Sequence, residues 1–167
     1  SSSYAWTVPF SQGKFGPATQ SHSGLYALCV RNDQKTISFV DNGNDTITDQ
    51  KTRLIWQKQD DGSKRKREDS LDYCENLTLG GSSAWRLPNI KELESIVDDN
   101  NVSPSINASY FPNTKHLSYA NYISSSVYAR GGYDHYSWSV TFNSGEASLS
   151  GPYYSATSYV RCVRGGQ

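Results

Sequence analysis

Two periods organise the apolar positions of this chain. Alternation at period 2 puts every second side chain on one face of a strand. It runs through Trp6-Thr-Val8-Pro-Phe10, Tyr122 to Val127, Tyr136 to Phe142, Glu146 to Leu149 and Tyr159 to Val163. Short apolar runs over Leu25 to Val30 and Thr52 to Gln57 read as further strands. Helical spacing appears twice. Leu71, Cys74 and Leu77 share one face of a helix predicted over Glu68 to Leu77, which Gly80-Gly81 ends. Ile90, Leu93, Ile96 and Val97 form the stripe of a second helix, with Asn89 as N-cap and Glu92 completing a capping box. Asn42-Gly43 marks a hairpin after Phe39-Val40. Gly13, Gly16, Pro17 and Gly24 mark loops, as does Asp60-Asp61-Gly62. Beyond Asp98 regular pattern stops for about 20 residues, a long loop of the kind that usually has a function. The order predicts an α+β fold with two helices beside a small, mostly antiparallel sheet.

The chain also repeats itself. Tyr4-Ala-Trp6-Thr-Val8-Pro-Phe10-Ser-Gln-Gly13 returns as Tyr136-Ser-Trp138-Ser-Val140-Thr-Phe142-Asn-Ser-Gly145, an offset of 132 residues. Tyr26-Ala-Leu-Cys29-Val30-Arg31 returns as Tyr159-Val-Arg-Cys162-Val163-Arg164, an offset of 133. A block repeated at a nearly fixed offset marks a duplicated structural unit. Residues 1–32 therefore read as the tail of a preceding, truncated repeat, 33–38 as a linker, and 39–167 as a complete domain.

Composition narrows the function. Sixteen basic residues balance sixteen acidic ones, so no global field draws the chain to nucleic acid or an anionic membrane. No apolar run is long enough to span a bilayer. The 12 Tyr, 4 Trp and 5 Phe, with abundant Ser, Asn and Gly and no Met, suit an extracellular or surface-displayed module. Three cysteines are an odd number. If the complete unit pairs a helix cysteine with one in its last strand, Cys74 and Cys162 belong together and Cys29 is left over. Three buried free thiols are the alternative.

Candidate chemistry points to binding. His22, His116 and His135 lie in loops or at strand ends with no nucleophile elbow, so an enzyme is not expected, and no cofactor is. Asp41, Asp45 and Asp49 fall at positions 1, 5 and 9 of a calcium-loop pattern, but Thr52 stands where position 12 wants glutamate. A hairpin whose Asn and Asp side chains cap their own backbone accounts for the same residues. Lys64-Arg65-Lys66-Arg67 is a candidate anion site, or else a solvated loop. The strongest candidate is the Tyr-rich stretch. Tyr128, Arg130, Tyr133, Asp134, His135, Tyr153 and Tyr154 are expected to be exposed loop residues that touch a ligand, whereas Tyr122, Tyr136, Trp138 and Tyr159 are expected to be structural. Tyrosine offers a rigid apolar face and a polar tip at low entropic cost, and the interspersed Ser, Asn and Gly supply adaptable hydrogen bonds. Trp56, Trp85 and Arg86 read as scaffold, with Glu92 or Asp98 as the partner of Arg86.

Several segments together resemble one family. They are Asp41-Asn-Gly-Asn-Asp-Thr-Ile-Thr-Asp49, Leu54-Ile-Trp56-Gln57, Tyr73-Cys74-Glu-Asn-Leu77, Gly80-Gly81, Trp85-Arg86-Leu87-Pro88-Asn89-Ile-Lys-Glu92-Leu93 and Tyr159-Val-Arg-Cys162-Val-Arg-Gly-Gly166. Over residues 39–166 the chain is similar to the C-terminal domain of the Legionella collagen-like adhesin. The resemblance implies a C-type-lectin-like fold and a non-enzymatic recognition domain of a bacterial surface or fibre protein. Its partner would be an extracellular glycan or a cell-surface protein. A structural cap or repeat spacer in a fibre, assembled as a homotrimer, is the alternative reading.

Overall fold

The computed structural model describes residues 4–7, 16–19, 38–128, 136–151 and 157–166, the first two segments by their backbone. The chain forms two compact units, Ser1–Ile37 and Ser38–Gln167.

In the first unit β1 (Tyr4–Thr7) pairs antiparallel with β2 (Gly16–Thr19). The sequence pattern placed a loop at Gly16-Pro17. Instead Pro17 stands in the strand opposite Trp6. A two-stranded ribbon consists of edges, where the missing N–H of proline is tolerated. The strand expected over Leu25 to Val30 lies outside the described residues.

The second unit is α+β, with two helices and two small antiparallel sheets. β3 (Phe39–Asp41), β4 (Thr46–Asp49), β5 (Leu54–Gln57) and β9 (Val163–Gly165) form the first sheet in that order. β6 (Asn121–Val127), β7 (Ser137–Thr141) and β8 (Ala147–Ser150) form the second. The hairpin expected at Asn42-Gly43 joins β3 to β4. Gly43 and Asp45 take left-handed backbone there, and Asn42 Nδ2 donates to Thr46 Oγ1 at 2.8 Å.

Helix α1 (Arg67–Glu75) starts one residue before its expected first residue and stops two before Leu77. The Asn76 N–H still bonds the Asp72 carbonyl at 3.0 Å, closing its last turn. Helix α2 (Ile90–Ser95) has the expected capping box: Asn89 Oδ1 accepts from the Glu92 N–H at 2.9 Å, and Glu92 Oε2 accepts from the Asn89 N–H at 2.8 Å. The Trp-Arg-Leu-Pro segment before it is scaffold. Trp85 is buried and its indole N–H meets the carbonyls of Leu79 and Ser82. Arg86 forks onto both oxygens of Glu92 at 2.8 and 2.7 Å. Burial pushes the Glu92 carboxyl upward, but the Arg86 fork and the Asn89 N–H outweigh it and leave Glu92 below the ordinary carboxylate value.

The closing segment is less regular than its alternation predicts. Only Val163–Gly165 is a strand, because residues 158–163 change partner almost at every step. Ser158 pairs with Arg65, Tyr159 with Tyr122 of β6, and Val163 with Arg86 as well as β5. Cys162 lies within this run and bridges to Cys74 of α1 (sequence separation 88). Both cysteines are buried with Trp85, Leu87, Ile123 and Val160, and Leu71, Leu77 and Leu79 pack on that cluster. One apolar cluster thus joins α1, the second sheet and the closing segment.

A crosslink closing a loop of this length is expected to contribute about 4–5 kcal/mol by constraining the unfolded chain. Urea unfolding with and without reductant should show a loss of that order, and Cys74→Ala should match the reduced protein. Equal midpoints in both conditions would contradict the contribution.

Candidate binding surface

A charged group at the centre of the second unit fixes the surface above it. The Arg161 side chain is fully buried. Its Nη1 donates to the carbonyls of Gln57 at 2.7 Å and Lys58 at 2.6 Å, and its Nη2 donates to Thr114 Oγ1 at 2.9 Å and Asp60 Oδ2 at 3.2 Å. The guanidinium lies 5.1 Å from the Phe111 ring centroid and 5.7 Å from that of Tyr122, within reach of their negative faces. Asp60 is saturated in turn. Tyr122 donates its hydroxyl to Asp60 Oδ2 at 2.6 Å, and the Gly62 N–H meets Oδ1 at 2.9 Å. Asn113 donates to the Asp60 carbonyl at 2.6 Å and accepts from its N–H at 3.2 Å. Burial pushes the Tyr122 hydroxyl well above the ordinary tyrosine value, so it keeps its proton and donates. The Lys115 N–H completes the network on the Tyr122 oxygen at 2.8 Å. The hub therefore ties the closing segment to the 57–62 turn, to β6 and to the 111–115 stretch of the long loop.

Two loop stems follow from this frame. Tyr128 and Tyr136 close the first, the Tyr128 N–H bonding the Tyr136 carbonyl at 2.9 Å. Ser137, next along β7, stands opposite Ser150 at the end of β8. The Tyr136 ring also covers Gly151, where a Cβ would lie 2.9 Å from a ring carbon. Gly151 and Thr157 flank the second, and the hydroxyls of the adjoining Ser150 and Ser158 meet at 3.4 Å. Ser158 and Arg65 exchange two backbone hydrogen bonds of 2.9 Å. A continuous line of contacts thus places both stems and the Lys64–Arg67 run side by side.

The four cations divide by type. Arg65 binds Asp61 through Nη1 at 3.0 Å and covers the Tyr73 ring at 4.0 Å. This hydrogen bond lowers the Asp61 carboxyl and raises the Arg65 guanidinium. Arg67 reaches the Ser125 carbonyl at 3.4 Å. Lys64 and Lys66 are exposed, with Lys64 Nζ 5.2 Å from the Tyr159 ring centroid. The arginines therefore hold the run to the domain, and the lysines present its charge to solvent.

Of the expected ligand-binding residues, Tyr128 is half-buried and packs edge-on against Trp138 at 5.9 Å. That corrects its assignment as an exposed loop residue: it belongs to the stem, where the indole face offers more contact than water does. Arg130, Tyr133, Asp134, His135, Tyr153 and Tyr154 lie outside the described residues. Tyr122 is fully buried, and Tyr136, Trp138 and Tyr159 are half-buried. Two of the three candidate calcium carboxylates are engaged separately. Asp41 accepts from the Gly43 N–H and from Lys58, and Asp49 accepts from the Lys51 N–H and the Thr52 hydroxyl. Among the described residues no three His, Cys, Asp or Glu side chains group as a metal site would require.

Two features escape the sequence pattern. The hub is one, although an arginine inside the apolar stretch Val160-Arg161-Cys162-Val163 is a readable sign of a buried, paired charge. Tyr119 is the other. It is 90% exposed beside exposed Leu117, in a turn where its backbone is left-handed. It opens the Tyr-rich stretch, but alternation does not show its exposure.

Tyr122→Phe removes one donor to Asp60 and the acceptor of the Lys115 N–H. It is expected to cost about 1–3 kcal/mol, read by urea unfolding. A change below about 0.5 kcal/mol would show that the hydroxyl bears little of the network.

The sequence profile of the Lcl C-terminal domain, an adhesin-associated family, matches residues 45–164, and the chain belongs to that family. No curated protein matches it.

Proposed function

We propose that this Lcl C-terminal domain is a non-enzymatic recognition domain of a bacterial surface adhesin or fibre. It engages an extracellular glycan or a cell-surface protein without a cofactor, through the two Tyr-rich loops and the lysines beside them. One observation carries the reading: the contacts from Ser137 through Ser150 and Ser158 to Arg65 set both loop stems beside Lys64 and Lys66. Loops on a rigid frame are the usual place for binding residues. Tyr133, Tyr153 and Tyr154 supply ring faces for sugar C–H groups or apolar side chains. Asp134 and His135 supply polar partners, and Arg130, Lys64 and Lys66 meet negative charge. The C-type-lectin-like fold is part of the proposal, supported by the two helices and two small antiparallel sheets.

Family membership and the Cys74–Cys162 bridge both favour an extracellular or cell-surface setting. Among the described residues no helix is long and apolar enough to cross a membrane.

A glycan array and binding to host-type cells test the reading together. Tyr133→Ala, Tyr153→Ala and the Lys64→Ala/Lys66→Ala pair should each weaken binding by about tenfold or more, roughly 1.4 kcal/mol, with the melting temperature unchanged. Blank results in both assays would overturn it. So would a trimeric solution mass with these tyrosines protected from labelling, which would assign the loops to a subunit interface.

A further inference from the structure

The pairing of β1 with β2 reproduces that of β7 with β8. Ala5 stands opposite Ala18, Trp6 opposite Pro17 and Thr7 opposite Gly16. Ser137 stands opposite Ser150, Trp138 opposite Leu149 and Ser139 opposite Ser148. Moving every residue of the first set along by 132 gives the second, so the repeat is conserved in hydrogen-bonded register as well as in letters. Register is the sensitive quantity, because a slip of one residue would exchange the two faces.

The letters the two copies share are those that depend on the rest of a domain. Phe142 packs on Tyr122 at 5.1 Å. Gly145 has left-handed backbone, and a Cβ there would lie 2.8 Å from Val97. Cys162 bridges to Cys74, and Arg164 lies 5.3 Å from the Trp85 ring centroid. All four partners fall between residues 74 and 122. Their counterparts by position in the repeat are Phe10, Gly13, Cys29 and Arg31.

We infer that residues 1–31 close a preceding domain of the same kind. By the repeat, the matching elements would be supplied by an upstream segment of the same polypeptide that carries counterparts of α1, α2 and β6. A second copy of this chain is a poor occupant for a specific reason. The residue matching Arg161 is Leu28. Against residues 38–128 of another copy it would leave Asp60 buried without its guanidinium, which is strongly unfavourable. The upstream segment therefore has no acidic residue at the position of Asp60. Its cysteine lies about 88 residues before Cys29, roughly 60 residues upstream of Ser1, by the separation of Cys74 and Cys162. This inference is independent of the binding role proposed above.

The test is the native full-length polypeptide, with its coding sequence read upstream of Ser1 and its disulfides mapped by non-reducing peptide mass spectrometry. The expected result is a single Cys29 linkage to that upstream cysteine, with a Trp-Arg-Leu-Pro-like segment beginning eleven residues after it, as Trp85 follows Cys74, and a non-acidic residue in place of Asp60. Overturning results are a free Cys29 thiol, a Cys29 linkage to Cys29 or Cys74 of a second molecule, or no cysteine near the predicted spacing.

Discussion

A buried guanidinium holds the second unit together. Arg161 sits where the closing segment passes from one sheet to the other, and it meets four oxygens from two stretches of chain far apart in sequence. A charge taken out of water is tolerated only when its hydrogen bonds and its counter-ion are supplied in fixed places. That requirement dictates the neighbourhood. The carbonyls of Gln57 and Lys58 must turn inward, Asp60 must be held by Tyr122, Asn113 and Gly62, and Phe111 and Tyr122 must cover the group. The long loop after α2 is thereby anchored by polar contacts where it has little regular backbone pairing.

The disulfide beside the hub acts on the same joint by other means. Cys162 follows Arg161 directly and is bonded to α1, while its N–H meets Gln57 Oε1 at 3.1 Å. The covalent tie limits the unfolded chain, and the ion pair selects one arrangement of the folded one. With the joint fixed at 161–162, Ser158 and Tyr159 fall against Arg65 and β6, and the second stem closes beside the first. The binding surface proposed for the loops thus rests on a rigid base whose determinants lie below it.

Much of the fold can be read from the chain because it follows local rules. Asn89 and Glu92 announce α2 through a reciprocal cap that needs only four residues of sequence. The alternation around Tyr122 and Trp138 announces two strands of the second sheet. Helix α1 is less exact at its ends, since Leu77 keeps the apolar spacing after the helix has ended at Glu75, its N–H reaching back only three residues to the Cys74 carbonyl at 3.1 Å. Non-local determinants are harder to read. The separation of Asp60 from Arg161 is invisible to any window, and the irregular course of residues 158–163 follows from partners that only tertiary structure supplies. Tyr128 shows the same limit at the surface: a tyrosine at a strand end looks free in sequence, and Trp138 covers it in space. The repeat is the exception among long-range features, because a copied block records its own register.

The most direct test of the account is a double-mutant cycle between Arg161 and Asp60, with Arg161→Leu, Asp60→Asn and the double variant unfolded in urea. The account predicts that Arg161→Leu alone costs about 3–5 kcal/mol and that the double variant is less destabilised than the two single losses added, by at least about 1 kcal/mol. Single losses that simply add, within about 0.5 kcal/mol, would show that the pair is not the joint on which the closing segment depends.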